Sequence, residues 1–489
     1  MSQFYTPTDH FAVLPALLLA LFGCAILLLD FFVLPQPRQK RWLIIFTVLG
    51  EIFAGAALFR QYRFLEDQSI PALRAFSDGL IVDGFSIFFN AMFVAAAALV
   101  AIVSYRYLEI EGEHHGEFYG LVLMAQAGMF FLASGTELVT IFIGLELMAV
   151  TFYVLVGFLR SDRRSNEAAM KYLLLGAFSS GFLAYGFSLL YALSGSTRLT
   201  RIASELSQRP VSDPLLLLAI VTTSVGLLFK VGAAPFHMWA PDAYEGAPTP
   251  VTAYLSVASK AASVALLVRV LMGTLGAHRV TWEPLLAVAA VLSLTIGNFS
   301  ALSQTNLKRL LAFSSISHAG YVMLGLIAGN RTGLTGISVY LLTYTFMNIG
   351  AFLVLIALRR DGLAGDDIDD LNGLMHRSPV HALLMVLFLL SLAGIPPTAG
   401  FIAKYYIFLS LVETGHNTLA IAAALYVAVS IYYYFRIVRT MFVGEPGQLL
   451  PIVPGWGMRI GFLVTAAATL AIGLYPEPIV RFADTSLLR

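Results

Sequence analysis

Cysteine and charge are what this chain lacks. One cysteine, Cys24, stands among 489 residues. It cannot close a disulfide within the chain, and the roughly four thiolates that hold an iron–sulfur cluster are missing. Charged residues make up 12% of the sequence, about half of the roughly 25% usual in a soluble globular domain. So few charges on so long a chain leave most of its surface for lipid. The 30 Lys and Arg against 29 Asp and Glu leave a net charge of +1. That balance gives no basic stripe for nucleic acid and no acidic tail. Neither a GxxxxGKS/T phosphate loop nor an HExxH zinc helix occurs. Redox chemistry that powers this protein therefore belongs to other chains.

What is present is apolar: 58% of the residues are hydrophobic. They fall into runs of about 20, the length that crosses a bilayer as a helix. About fourteen runs are legible, near 11–34, 42–60, 79–104, 118–134, 137–159, 169–194, 213–243, 250–275, 281–301, 308–330, 332–358, 380–413, 416–441 and 457–479. The first is longer than the roughly 7–15-residue core of a signal peptide, and Asp9 and His10 precede it instead of basic residues. It reads as a retained span. The seventh and twelfth are too long for one straight crossing, and both contain proline. Basic residues collect on the cytoplasmic side. With the N-terminus outside, about sixteen Lys and Arg fall at inner loops and about ten at outer ones. Both termini are thus expected on the outer side.

The sequence also reads as an internal repeat. From Phe118 to Pro235 is about 117 residues, and from Thr281 to Pro396 about 115. Each proline break lies in the fourth helix of a five-helix block. Five is odd, so the second block starts on the opposite side of the membrane, giving an inverted repeat of the kind that places a site near the midplane. The expected fold is an all-α polytopic bundle. Residues 1–117 form an N-terminal three-helix segment, 118–275 a first repeat, 281–441 a second, and 442–489 a C-terminal helix.

Charges within the hydrocarbon cost at least about 2.5–3.5 kcal/mol each, which makes them functional candidates. Glu146, in FIGLELMAV, lies about 14 Å of helix from Glu137 at the span's end. Lys230, in LLFKVGAAPFHMW, stands five residues before Pro235. Proline has no N–H and leaves a helical carbonyl without its donor. A broken helix at that depth survives only where protein or water satisfies the freed groups. Burial favours the neutral lysine and a nearby carboxylate the charged one, so Lys230 beside Glu146 reads as a proton switch. Lys260, flanked by small residues in YLSVASKAASV, reads as a relay. Lys404 follows the break at Pro396 and Pro397 and reads as a release group. His318, in LKRLLAFSSISHAGY, titrates near physiological pH and joins the list, with Tyr321 and neighbouring serines as a wire. The bland alternatives are a structural ion pair for Glu146, a helix plug for Lys230, a quiet pair for Lys260, a snorkelling lysine for Lys404 and a satisfied core histidine for His318.

His237, beside the first break, is a weaker relay candidate. Asp30, Glu51, Asp83 and Arg269 stand near span ends or without a clear partner and read as structural or interfacial. His114 and His115 read as a solvated acidic loop, not a metal site. The segment DGLAGDDIDDLNGL lacks the spacing of a calcium loop and reads as a capped connector.

Taken together, LELMA with Glu146, FKVGAAPFHMWAPDAYEGAPTP with Lys230, SVASK with Lys260, QTNLKRLLAFSSISHAG and AGIPPTAGFIAK with Lys404 resemble the proton-translocating membrane subunits of NADH:quinone oxidoreductase. These are related to the multi-subunit cation/proton antiporters. The resemblance covers about residues 10–480. Lysine followed by two tyrosines at GFIAKYY resembles the subunit N type, and the chain ends too soon after its last span for the long lateral helix of subunit L. The resemblance implies a Glu146–Lys230 pair where protons enter, Lys260 in the middle and Lys404 toward the exit, with His318 carried over less firmly. It implies membrane-arm partner subunits, a bacterial inner (plasma) membrane, and NADH, flavin, iron–sulfur clusters and quinone bound by sister subunits, with no cofactor in this chain. Two rivals are a sodium/proton antiporter subunit on the same fold and a non-transporting membrane scaffold.

Overall fold

The computed structural model describes residues 6–34, 40–113, 115–359, 365–444 and 455–487. His114 and residues 361–364 of the DGLAGDDIDDLNGL segment lie outside them. Among the described residues, thirteen helices are long and apolar enough to cross a membrane. The first six are Pro7–Phe32, Arg41–Asp67, Gly84–Glu111, Glu117–Ser134, Leu138–Val156 and Arg163–Ser194. The seventh span is Pro214–Val231, broken and resumed as the short helix Trp239–Gly246. The eighth runs Thr249–Thr274. The ninth to eleventh are Arg279–Leu302, Leu307–Ala328 and Arg331–Leu358. Asn417–Val443 and Trp456–Leu474 are the thirteenth and fourteenth. The remaining crossing, the twelfth, is made of two pieces, Pro379–Ala393 and Ala399–Glu413, each short by itself.

Helix ends in lipid need partners for their free backbone groups, and the sequence supplies them at the loops. Asp83 and Ser86 form a reciprocal cap on the third span, at 2.8 and 3.0 Å. Asn306 and Asn330 cap the tenth and eleventh at 3.0 and 2.8 Å. Three features escape an apolar-run reading. Ala72–Ala75 and Leu80–Asp83 pair as an antiparallel hairpin, so the third span starts at Gly84 and not near 79. Two short helices, Leu199–Leu206 and Glu477–Thr485, lie between and after spans. In the last, Asp484 accepts from Nε and Nη2 of Arg331, both at 2.6 Å. The Arg331 guanidinium holds that carboxyl below the usual carboxylate range.

The core lies around the eighth and tenth spans, in whose most apolar 18-residue stretches 94% of the residues are buried, against 22% in the thirteenth. The tenth and ninth spans pack closely through Gly297, where a Cβ would stand 2.6 Å from Ser317 N. Small residues at such crossings let helices approach without a hydrophobic drive. The N-terminal three spans are joined to the core by two ion pairs, one partly buried and one buried. Glu111 accepts from Arg359 of the eleventh span at 2.5 and 3.0 Å. Asp83 accepts from Arg269 Nη2 of the eighth span at 2.8 Å, and Arg269 also donates to Ala133 O at 2.5 Å. Asp83 and Arg269, which have no clear partner in the sequence, are thus partners of each other.

Removing one member of a buried pair leaves an uncompensated charge and costs about 3–5 kcal/mol. Arg269→Gln is expected to lower the thermal midpoint of the detergent-solubilised assembly, followed by loss of helical circular dichroism. An unchanged midpoint would show that the pair contributes nothing to holding the third span against the eighth.

Candidate functional site

Four ionisable side chains lie in the buried interior. Lys230 is 8% exposed, Lys260 5%, His318 4% and Lys404 4%. Each is satisfied by neutral groups, and the way each is satisfied differs.

Lys230 stands in the last turn of Pro214–Val231. The helix stops at Gly232, whose φ of +74° suits glycine. Two of the freed carbonyls are met by protein. Phe229 O accepts from Gly232 N and from Trp239 Nε1, both at 2.9 Å, and Leu228 O accepts from Ala233 N at 2.9 Å. Ala234 N donates across to Ser293 Oγ of the ninth span at 2.8 Å. Lys230 Nζ donates to Ser180 Oγ of the sixth span at 3.3 Å. The Glu146–Lys230 ion pair is not closed: Glu146 acts on Lys230 by its charge from a distance, and its Oε1 is buried with no hydrogen-bond partner. Glu146 lies on the side of the fifth span where Val139, Ile143, Val150 and Val154 are exposed. The carboxylate is therefore close to the protein's lateral face.

Lys260 follows a π-helical turn, Leu255–Ser259. Such turns inside α-helices are frequent at functional positions. Its Nζ donates to Ser315 O of the tenth span at 2.6 Å and to Ser315 Oγ. One helical turn further on is His318, and both Lys260 and Lys404 act on it electrostatically. A cage of tyrosines holds the ring. Nδ1 bonds Tyr340 OH at 2.6 Å and Nε2 faces Tyr434 OH at 3.4 Å, with Tyr434 in turn bonded to Ser314 Oγ.

Lys404 lies past the second break and reaches back over it. Its Nζ donates to Leu392 O at 3.1 Å and to Ala393 O at 2.8 Å. These are the last carbonyls of Pro379–Ala393, the negative end of that half-helix. The ammonium also sits 4.9 Å from the centroid of the Tyr321 ring. Gly394, with φ +84°, makes room: a Cβ there would stand 2.7 Å from Lys404 Cδ.

The site thus ties Lys260 to Ser315, one turn from His318, and places Lys260 and Lys404 within electrostatic reach of His318, as Glu146 is of Lys230. His237 lies in the first break with Nδ1 buried and unpartnered. Ser315 is among the serines the sequence reading placed beside His318, whereas Ser180, Tyr340, Tyr434 and Gly394 are absent from that reading. Tyrosines inside the apolar runs YLLTYTF and IYYYF were a usable signal for the cage. The short helix after the first break is held in place by a cluster of charges. Asp242 accepts from Lys171 at 3.0 Å and from Arg309 at 2.7 Å, and Glu245 accepts from Arg309 at 2.9 Å. Among the described residues no group of three or more His, Cys, Asp or Glu is placed to hold a metal ion.

A many-span bundle with two helices broken at depth and a buried lysine beside each break defines an antiporter-like transmembrane subunit. The chain belongs to the NADH:quinone oxidoreductase/Mrp antiporter transmembrane family, whose profile matches residues 135–446. It is 64% identical over 489 residues to NADH-quinone oxidoreductase subunit N 2 of Solibacter usitatus, covering 100% of this chain and 99% of that one. It is 42% identical over 496 residues to NADH-quinone oxidoreductase subunit N of Trichlorobacter lovleyi, covering 100% and 99%. A chain of respiratory complex I from Thermus thermophilus with bound aureothin matches at 33% identity and a TM-score of 0.79, over 96% of this chain and 98% of that one. A chain of the Mrp complex from Dietzia sp. DQ12-45-1b shares the fold, with a TM-score of 0.83 at 20% identity over 97% of each.

Gly394→Ala places a methyl group against Lys404 and a side chain in the left-handed region, which costs about 1–2 kcal/mol. The expected outcome is weaker proton pumping by the assembled complex, read as the pH gradient formed in membrane vesicles. Normal pumping would show that the seat of Lys404 on the half-helix is not needed.

Proposed function

We infer that this chain is a proton-translocating membrane subunit of NADH:quinone oxidoreductase, of the subunit N kind. Electron transfer from NADH to quinone drives it, and the chain carries no redox centre of its own. NADH, flavin, iron–sulfur clusters and quinone are held by sister subunits. The observation that carries the reading is the succession Lys230, Lys260, His318, Lys404, buried without a paired carboxylate among the described residues. A scaffold gains nothing from that arrangement, whose insertion cost is at least about 2.5–3.5 kcal/mol per charge.

In this reading the blocks 118–275 and 281–441 are inverted repeats, supported by a break in the fourth helix of each. Glu146 and Lys230 form the switch. Ser180 holds Lys230 while the pair is open. Movement of Glu146 toward Lys230 favours the charged lysine, and withdrawal releases its proton. At about 4 Å and an effective dielectric of about 20, such a pair is worth roughly 4 kcal/mol. Carrying one charge against the membrane potential costs roughly 2.3 kcal/mol per 100 mV, so opening and closing this pair is large enough to drive the step. The proton passes by Lys260 and His318 to Lys404, which leaves by the half-helix beyond the second break. The tyrosine cage keeps His318 supplied with hydroxyl partners for either ring nitrogen. Other membrane-arm subunits flank the chain, one of them against the fifth-span face beside Glu146. The membrane is the bacterial inner membrane, with both termini on its outer side, supported by the bias of Lys and Arg toward inner loops.

Lys230→Ala in the intact complex, in membrane vesicles with assembly verified, separates the possibilities. NADH:quinone turnover and gradient formation are measured together. The expected result is loss of the pH gradient, with coupled turnover slowed. A normal gradient with normal turnover would reduce Lys230 to a helix plug. Loss of sodium transport with quinone reduction untouched would favour an antiporter subunit instead.

A further inference from the structure

One buried acid has no part in this succession. Glu51 lies near the middle of the second span, about 15 Å of helix from Arg41 at its start. It is 2% exposed, and neither Oε1 nor Oε2 has a hydrogen-bond partner. A buried carboxylate must be paired or protonated, and Glu51 makes no ion pair among the described residues. Two groups on other spans act on it. Gln126 of the fourth span presents its side-chain amide, whose own Oε1 is buried without a donor. Tyr254 of the eighth span is within electrostatic reach. Beside it, Gly50 packs on Phe22 of the first span and Gly55 on Val94 of the third.

An amide serves a carboxyl in either state. Through its nitrogen it donates to the carboxylate, and through its oxygen it accepts from the carboxylic acid. Gln126 is therefore a partner that tolerates the arrival and departure of a proton, as a lysine or arginine would not. Tyr254 connects this place to the transport machinery. It lies six residues before Lys260 on the same span, about 9 Å along the axis. Its hydroxyl donates to Val122 O at 3.3 Å, and its ring packs on Phe152 of the fifth span at 5.3 Å, two turns or so from Glu146.

We propose that Glu51 is a further proton-holding group of this subunit, a carboxyl on the N-terminal three-helix segment that exchanges a proton with the path at the eighth span, with Gln126 as its positioning partner. The carboxylate takes up one proton from the hydrated path and becomes neutral. It returns the same proton to the path as Lys260 gives its own onward. This assignment rests on the proton path described above and adds a store beside it.

The test uses the whole complex in membrane vesicles. Glu51→Gln keeps the shape and removes the exchangeable proton. It is expected to lower the protons translocated per NADH oxidised while uncoupled NADH:quinone turnover is retained. Glu51→Asp, which keeps a carboxyl, is expected to restore the yield, and Gln126→Leu to lower it. An unchanged yield in Glu51→Gln overturns the proposal. If that variant fails to assemble, an unchanged yield in Gln126→Leu overturns it instead. Lys230→Ala run in parallel separates the two levels. A full gradient there sinks the path itself, whereas its loss beside a normal Glu51→Gln sinks only the store.

Discussion

The half-helix end at Leu392 and Ala393 and the ammonium of Lys404 explain how this interior tolerates charge. A lysine in hydrocarbon has to be met by something. A paired carboxylate would meet it too well, fixing the proton in place. Two carbonyls at the negative end of a broken helix give partial charge in a fixed direction, and they need donors because the break has taken theirs away. Lys404 and the break satisfy each other. Lys260 is met in the same manner by the carbonyl and hydroxyl of Ser315, and Lys230 by the hydroxyl of Ser180. Among the described residues none of the three lysines forms an ion pair, so each is held by dipoles that serve it without committing it to the charged state.

The surrounding fold follows from the need to keep those dipoles in place. The two spans that carry Lys260 and His318 are the most deeply buried, and they meet through Ser315. The strong ion pairs stand at the ends of spans, away from Lys260 and His318 themselves. Asp83–Arg269 and Glu111–Arg359 join the N-terminal spans to the core near span ends, and the Asp242, Glu245, Lys171 and Arg309 cluster secures the short helix after the first break. Permanent charge pairs thus build the frame, and neutral partners line the axis. Glu146 is the exception: its carboxylate lies toward the lateral face with Oε1 unpartnered.

Much of this was readable from the chain. Apolar runs gave the spans, because lipid demands about 20 apolar residues whatever their partners. Proline at 235 and 396 gave both breaks, since a missing N–H is a local property. The second strand of the hairpin was hidden inside an apolar run, because four buried residues, Leu80 to Asp83, look alike in strand and helix. The partners of the site residues were out of reach for a different reason. Helical spacing identifies neighbours three and four residues away, whereas Lys260 and Ser315 are 55 residues apart and Lys230 and Ser180 are 50 apart. Those contacts are set by how helices pack. The same holds for Glu51, whose isolation is visible only once Gln126 and Tyr254 are seen beside it. The family resemblance, carried by the motifs around Lys230 and Lys404, supplied the order of the lysines, which spacing alone did not.

The central claim is that protons move along one continuous polar axis within this chain. The most direct measurement is electron cryomicroscopy of the turning-over complex at a resolution that locates ordered water. The account predicts water or hydroxyl bridges joining Lys230 to Lys260 and His318 to Lys404, with the Glu146–Lys230 separation differing between states. Dry apolar gaps between these residues in every state, with Glu146 and Lys230 fixed relative to one another, would contradict it.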